Sequence, residues 1–517
     1  MAVLLRDLAG AAGEPALRDA TGELDWPGLD ARVNRWIRLL RAQGLRVGDT
    51  MAVVCGNRRE TFEALLAAIH TGVTVVPVNW HLTAPEIAYQ LTDSTSRLVL
   101  AEPAYAAVVG EAVRACAAPV RQLVTGDRDV AEAAAVEPLL ADHADDEPAE
   151  QVCGSTMLYT SGTTGAPKGV RNNLFRTGAP FSRVERLLAY AGHTLAVPAR
   201  GAVLLAGPWY HSAQLFFALL PLLRGSRLVL HERFDPQAFL AALAEHRITA
   251  CHLVPTQFVR LLRLDIAVRA RADVHSLRVV WHGGGPCPVE VKRRMIGWWG
   301  PVVVEYYAAT EAGVVTLIGA DDWLRRPGSV GRAVPPNEIV ILDPEGATLP
   351  AGQPGRVFVR RAGQTFEYHN APEKTRDAHL SPGVFTYGET GYLDDDGYLY
   401  LTGRARELII SGGVNIYPAE VQAVLLAHPG VRDVAVTGEP DDEYGERVVA
   451  VVELDPRRLD PTDAAPALDR FCRRSLAGFK VPRRWRFVAE LPRDSTGKLR
   501  HDVLRELLHP EAAGDRS

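Results

Sequence analysis

Short apolar, β-prone runs alternate with helical stretches along most of this chain, and that alternation constrains the fold more than any other feature. Residues 51–55, 74–78 and 98–101 read as buried strands, with helices over 61–70 and 84–92 between them. The pattern resumes at 203–206, 227–230, 250–254, 278–281 and 302–305. Strands joined through helices make crossover connections, so neighbours lie parallel in an α/β sheet. A helix over 289–299 opens just after Pro286 and Pro288, as helix starts commonly do. After about Pro327 the texture changes to short alternating strands with Gly/Asp turns, such as 338–342, 356–360 and 398–401. Near residue 404 a compact α+β unit begins: a strand at 408–410, a helix over 419–427 and strands at 431–438 and 448–454. A loop over 455–466, a helix and a final strand follow. The stretch 133–151 is rich in Ala, Asp and Glu and reads as a solvated surface connection.

Composition narrows the classes. The chain has 517 residues, with 57 Lys+Arg against 62 Asp+Glu for a net charge of −5. Apolar residues make up 47% and charged residues 23%, which excludes a disordered or fibrous protein. The near balance of charge argues against a nucleic-acid partner. Only five lysines occur (Lys168, Lys292, Lys374, Lys480, Lys498), so each invites a question about its use. Six cysteines are scattered singly with no C-x-x-C spacing, which predicts reduced thiols rather than a zinc or redox site. The longest apolar run, 213–223, has 11 residues; it is too short to span a membrane and reads as a buried helix. The N-terminus lacks a signal-peptide core. A cytoplasmic location without integral membrane contact is expected.

The strongest motif is TSGTTGAPKG: Thr160, Ser161, Gly162, Thr163, Thr164, Gly165, then Ala166, Pro167, Lys168 and Gly169. Glycines let the backbone approach a ligand closely, hydroxyls donate to phosphate oxygens, and Lys168 adds a point charge. The string reads as a polyphosphate cradle. It is not a Walker A loop, since two residues separate Gly165 from Lys168 and a glycine follows the lysine. Four further segments follow in order: Tyr307-Ala308-Ala309-Thr310-Glu311, Tyr387-Gly388-Glu389-Thr390-Gly391, Gly403-Arg404-Ala405-Arg406-Glu407 and Pro492-Arg493-Asp494-Ser495-Thr496-Gly497-Lys498.

In this order the motifs resemble the adenylate-forming superfamily of acyl-CoA synthetases, peptide-synthetase adenylation domains and luciferases, and acyl-CoA synthetases most. The resemblance covers nearly the whole chain. It implies an α/β fold: a large N-terminal body of several subdomains over 1–403, with mixed and parallel sheets and a small β-barrel-like part. A hinge at 404–406, centred on Arg406, and a mobile α+β cap over 407–517 complete it. By the resemblance, the Tyr307 ring stacks on adenine, bordered by Gly283, Gly284 and Gly285. Thr310 contacts the α-phosphate, and Glu311, with Thr160, holds Mg²⁺. Glu389 and Arg404 bind ribose, although the family carries Asp where Glu389 stands. Ala308 replaces the usual Gly. His211, in Pro208-Trp209-Tyr210-His211, falls where amino-acid-activating relatives carry an Asp, which disfavours α-amino acids. Lys498 bridges the carboxylate and the α-phosphate. Ser411, Gly412 and Gly413 line the pantetheine channel in the thioester-forming posture.

The resemblance implies an acid–thiol ligase using ATP, Mg²⁺ and CoA, with a small-molecule carboxylic acid as substrate. The acyl group forms an adenylate and then passes to CoA. A stand-alone enzyme loading a carrier protein, a nucleotide-binding scaffold and a luciferase-like oxidase stay open as alternatives. The acyl pocket is expected near residues 211–215, 281–285 and 306–314, for a bulky or aromatic/alicyclic acid rather than a long chain.

Overall fold

The computed structural model describes residues 3–508 apart from 6, 9, 10, 12, 161–166, 172–174, 364–365, 405–408, 412–413, 442–444, 477 and 495–496. Among the described residues the strands form four sheets. The first has nine strands in the order Arg332–Ala333, Gly313–Ile318, Val303–Ala309, Val279–His282, Ala250–Leu253, Ala202–Leu205, Arg227–Leu230, Pro15–Asp19 and Gly22–Asp25. Its middle is parallel and its two edges antiparallel. The second has eight strands, with Thr74–Pro77, Thr50–Val54 and Ser96–Ala101 parallel at its centre, and Ser155–Thr160 and Lys168–Arg171 antiparallel to each other. The central strands are buried on both faces, which is why they read as unbroken apolar runs rather than alternating ones.

Between the two large sheets lies the main core. It is filled by the helices Trp26–Ala42, Arg59–Thr71 and Ser212–Leu223. The last of these is the expected apolar helix, with its Leu and Phe side chains shielded on nearly every side. The small third sheet has six antiparallel strands, Glu338–Leu342 and Gly355–Arg360 among them; its described pairings run as an open path without a closing pair. In the cap, strand Gly445–Leu454 shows the period of two directly. Val448, Ala450 and Val452 face the helices Pro418–Leu426 and Pro461–Cys472, while Val449 and Val451 face the opposite side.

Three expectations change. The acidic stretch 133–151 contains the strand Ala134–Ala135 and the helix Val136–Ala141. Its Glu137 accepts two hydrogen bonds from Arg32 at 2.6 Å each, and Asp145 and Asp146 pair with Arg35 and Arg38. The acids are thus matched to an arginine face of the first helix. The loop expected to reach Pro466 ends earlier. Pro461 sets the first helical turn and Asp460 caps the Thr462 amide, so Pro466 falls inside the helix. Beyond strand Arg484–Val488 a further helix, His501–Leu508, buries Leu504 and Leu508 against Val449 and Val451. All six cysteines are free. Among the described residues no helix is long and apolar enough to cross a membrane.

Candidate active site

The motif residues gather beyond the carboxyl ends of the parallel strands, where open α/β sheets bind ligands. At the phosphate edge, Thr160 and Lys168 are register partners. Ser161, Gly162, Thr163, Thr164 and Gly165 lie outside the described residues. The strands flanking them are anchored at several points. Tyr89 donates its hydroxyl to the Pro167 carbonyl at 2.9 Å, and Tyr159 donates to Asp93 Oδ2 at 2.7 Å. Burial, with Asp93 second, holds the Tyr159 phenol well above its ordinary range, so it stays a neutral donor. Lys168 Nζ stands 5.7 Å from the centre of the Tyr368 ring, whose hydroxyl donates to Glu311 Oε1 at 2.7 Å. One side chain therefore links the cradle lysine to the expected metal carboxylate. Tyr368 was not expected from the sequence. It comes from a two-residue edge strand paired with Lys168–Arg171, and only that pairing reveals it.

Strand Val303–Ala309 divides its side chains between two cores. Tyr306 and Ala308 join the large core with helix Ser212–Leu223, while Tyr307 joins the third-sheet core. The Tyr307 hydroxyl donates to Glu389 Oε2 at 2.8 Å. Glu389 and Arg404 are register partners on adjacent strands, so the two expected ribose contacts start from opposed backbone positions. The Tyr387 hydroxyl is enclosed and has no hydrogen-bond partner among the described residues. Burial makes this phenol harder to deprotonate, and the Glu311 and Glu389 carboxylates add to that. An orphaned donor between two carboxylates is a place where a ligand oxygen completes the set.

The glycine triplet has unequal reasons. A Cβ on Gly283 would stand 2.7 Å from the Tyr306 ring, and Gly284 has φ +81°; a Cβ on Gly285 meets nothing within 4 Å. Opposite, Thr310 Oγ1 lies 3.2 Å from Ser212 Oγ, which ties the phosphate-contact motif to the start of helix Ser212–Leu223. His211 occupies the position before that helix, and its buried Nε2 has no partner among the described residues. Burial, then the Lys498 ammonium, pushes this imidazole down to about 3, so it is neutral at physiological pH.

Lys498 belongs to a cap turn that packs on the body. Its loop is a built turn: Arg493 pairs with Asp433 at 2.5 Å and donates to the Gly497 carbonyl at 2.9 Å, while Asp494 Oδ1 accepts from the Lys498 amide at 3.0 Å. Gly497, at φ +80°, packs so close to Thr256 of the body that a Cβ would come within 2.6 Å. Arg263 of the body donates to the Arg432 carbonyl of the cap at 2.8 Å. Ser411 stands apart in the cap sheet, opposite Val414 and Gly445. Gly412, Gly413 and Arg406, the expected hinge residue, lie outside the described residues. Two other lysines are structural. Lys292 is fully buried against Glu305 at 2.5 Å, and Lys480 pairs with Glu420.

Among the described residues no group of three or more His, Cys, Asp or Glu could hold a metal ion. Mg²⁺ is commonly held by one or two carboxylates with phosphates and water, and does not need such a group. Glu311 suits that place.

Family models for AMP-binding enzyme and AMP-binding enzyme C-terminal domain match residues 5–369 and 420–498. The chain belongs to the AMP-binding enzymes. Among curated AMP-binding relatives, the long-chain-fatty-acid–CoA ligase FadD13 of Mycobacterium tuberculosis is 33% identical over 92% of both chains. The sulfoacetate–CoA ligase of Cupriavidus necator is 36% identical over 89% of this chain and 88% of its own. ATP-bound MatB from Rhodopseudomonas palustris superposes with a TM-score of 0.84 at 29% identity, covering 99% of each chain. This AMP-binding enzyme is an AMP-forming acyl-CoA ligase: ATP activates a carboxylic acid as the acyl-adenylate, and CoA takes the acyl group.

Proposed function

We propose the following division of labour in that reaction. Lys498 offsets the charge that builds up as the substrate carboxylate attacks the α-phosphorus, and Thr310 donates to the same phosphate. Lys168 and the loop it closes hold the leaving pyrophosphate. Tyr307 and the glycines at 283–285 enclose adenine, and Glu389 with Arg404 takes the ribose hydroxyls. Glu311, with Thr160, holds Mg²⁺, which neutralises phosphate charge when bound. After pyrophosphate leaves, the cap rotates about 404–406 and brings Ser411, Gly412 and Gly413 to the cleft. The CoA thiolate then attacks the acyl carbon and AMP departs.

The observation that carries this reading is the turn before Lys498, whose Gly497 packs on Thr256 of the body, so that the cap brings this lysine to the body that carries the Thr310–Ser212 contact. A cation fixed at the meeting point of two anions supplies preorganised electrostatic stabilisation, often the largest single rate contribution. Neutral His211 removes the competing cation that would weaken it.

The test is carboxylate-dependent pyrophosphate release with ATP and Mg²⁺, with and without CoA. Release followed by CoA-dependent AMP and thioester is expected. Release that CoA neither accelerates nor converts would make a carrier protein the acceptor. No release with any acid would overturn the assignment.

A further inference from the structure

We propose that the acyl cavity of this ligase is closed about one helical turn below the reacting carboxylate, so that the enzyme takes short carboxylic acids. Phe217 and Tyr306 set that limit. The inference rests on the reading above, in which the carboxylate sits by Lys498, Thr310 and His211.

Helix Ser212–Leu223 runs away from that point into the core. Phe217 lies six positions beyond His211, a rise of about 9 Å. Helical side chains lean toward the helix N-terminus, so the Phe217 ring covers the turn above its own Cα. About 4 Å of depth is left. The floor is a locked stack of rings. Phe217 stacks on Trp281 at 4.6 Å and on His252 at 5.3 Å, and tilts against Tyr306 at 5.1 Å. All four residues are buried.

Hydrogen bonds tether three of these rings, and Phe217 packs against all three. The Tyr306 hydroxyl is hydrogen-bonded to His252 Nε2 at 2.7 Å, and its ring lies against Gly283. Trp281 Nε1 donates to the Leu195 carbonyl at 2.7 Å. Ala308, on the same face of its strand as Tyr306, adds a methyl where relatives of the resemblance carry Gly. Gln214, between His211 and Phe217 on the helix, has a buried Oε1 with no partner among the described residues. An alkyl chain laid along it would leave that oxygen dry and unpaired, at a cost a short tail with water beside it avoids. Size and polarity point the same way. The bulky acid expected from the sequence finds its space occupied by the enzyme's own rings.

The experiment is a series of kcat/KM measurements on propionate, butyrate, hexanoate, octanoate, dodecanoate and cinnamate, for the wild type, Phe217→Ala, Phe217→Leu and Tyr306→Ala. One methylene in a fitted pocket is worth roughly tenfold or more in discrimination. The wild type should fall by about tenfold or more between butyrate and octanoate. At least one folded variant should gain by about that factor on octanoate or cinnamate while losing on butyrate. Thermal melts establish which variants are folded, and the wild-type series stands even where a variant is not. Wild-type activity that rises with chain length, or folded variants whose acid preference does not move, would overturn the size limit and leave the ligase reading intact. No pyrophosphate from any acid, in the wild type or the variants, would overturn the ligase reading itself.

Discussion

Glu389 shows how one methylene can be accommodated by a neighbour. An Asp at this place would present its carboxylate closer to the strand; the longer Glu arm is held by the Tyr307 hydroxyl at 2.8 Å. The ring expected against adenine thus also positions the group expected on ribose. A hydrogen bond to a charged group is worth about 1.5–3 kcal/mol. Glu389→Ala should therefore raise the KM for ATP by about ten- to a hundredfold. Tyr307→Phe, which keeps the ring and removes the hydroxyl, should raise it by a smaller factor with kcat nearly intact. Steady-state ATP kinetics at saturating acid measure both. An unchanged KM in Glu389→Ala would remove Glu389 from the ribose site. The sequence displayed Glu389 as a departure from the family's Asp, yet it held no sign of the compensating partner, because the two residues are far apart in the chain and on different strands.

At the scale of elements, the glycine triplet after strand Val279–His282 shows why equal residues need not carry equal constraints. Gly283 faces a ring that cannot retreat, since His252 holds Tyr306 from the other side, whereas Gly285 faces open space. Gly283→Ala overpacks a fixed contact and should cost about 1–3 kcal/mol. Gly285→Ala should leave stability within about 0.5 kcal/mol. Chemical denaturation of the two variants checks this, and equal destabilisation would mean that the ring does yield. Strand runs such as Thr50–Val54 and Ala202–Leu205 were legible because double-sided burial demands continuous apolar residues. The helix Val289–Trp299 was legible in full because prolines mark its start and a glycine follows its end. The helices Val136–Ala141 and His501–Leu508 were not. Both are short, and each is fixed by distant partners, Arg32 in one case and the outer face of the cap sheet in the other. The site divides the same way. Contiguous motifs announced Thr310, Glu311, Glu389 and Lys498. Tyr368, Tyr306 and Phe217 gain their roles only from what lies across from them.

For the molecule as a whole, the division of labour proposed above has two reactions share one cleft, with the cap deciding which is served. In the posture of this structure the turn around Gly497 rests on Thr256, and Arg263 holds the cap backbone. This arrangement suits adenylate formation and leaves the thioester step to a rotated cap. If so, the half-reactions separate by mutation. Lys498→Ala removes the charge that stabilises attack on the α-phosphorus, so acid-dependent ATP–pyrophosphate exchange should drop by about 10²–10³-fold. The same variant, given synthetic acyl-adenylate and CoA, should form thioester at nearly the wild-type rate, because Lys498 has by then left the cleft. Gly413→Leu should do the reverse, with exchange retained and thioester formation lost, since a side chain there would fill the space a pantetheine arm must pass. Gly497→Val adds a third arm. It pushes against Thr256 from a left-handed backbone position and should weaken exchange by disfavouring the docked cap, without touching either substrate. Equal loss of both half-reactions in Lys498→Ala and in Gly413→Leu would mean that one posture serves both steps.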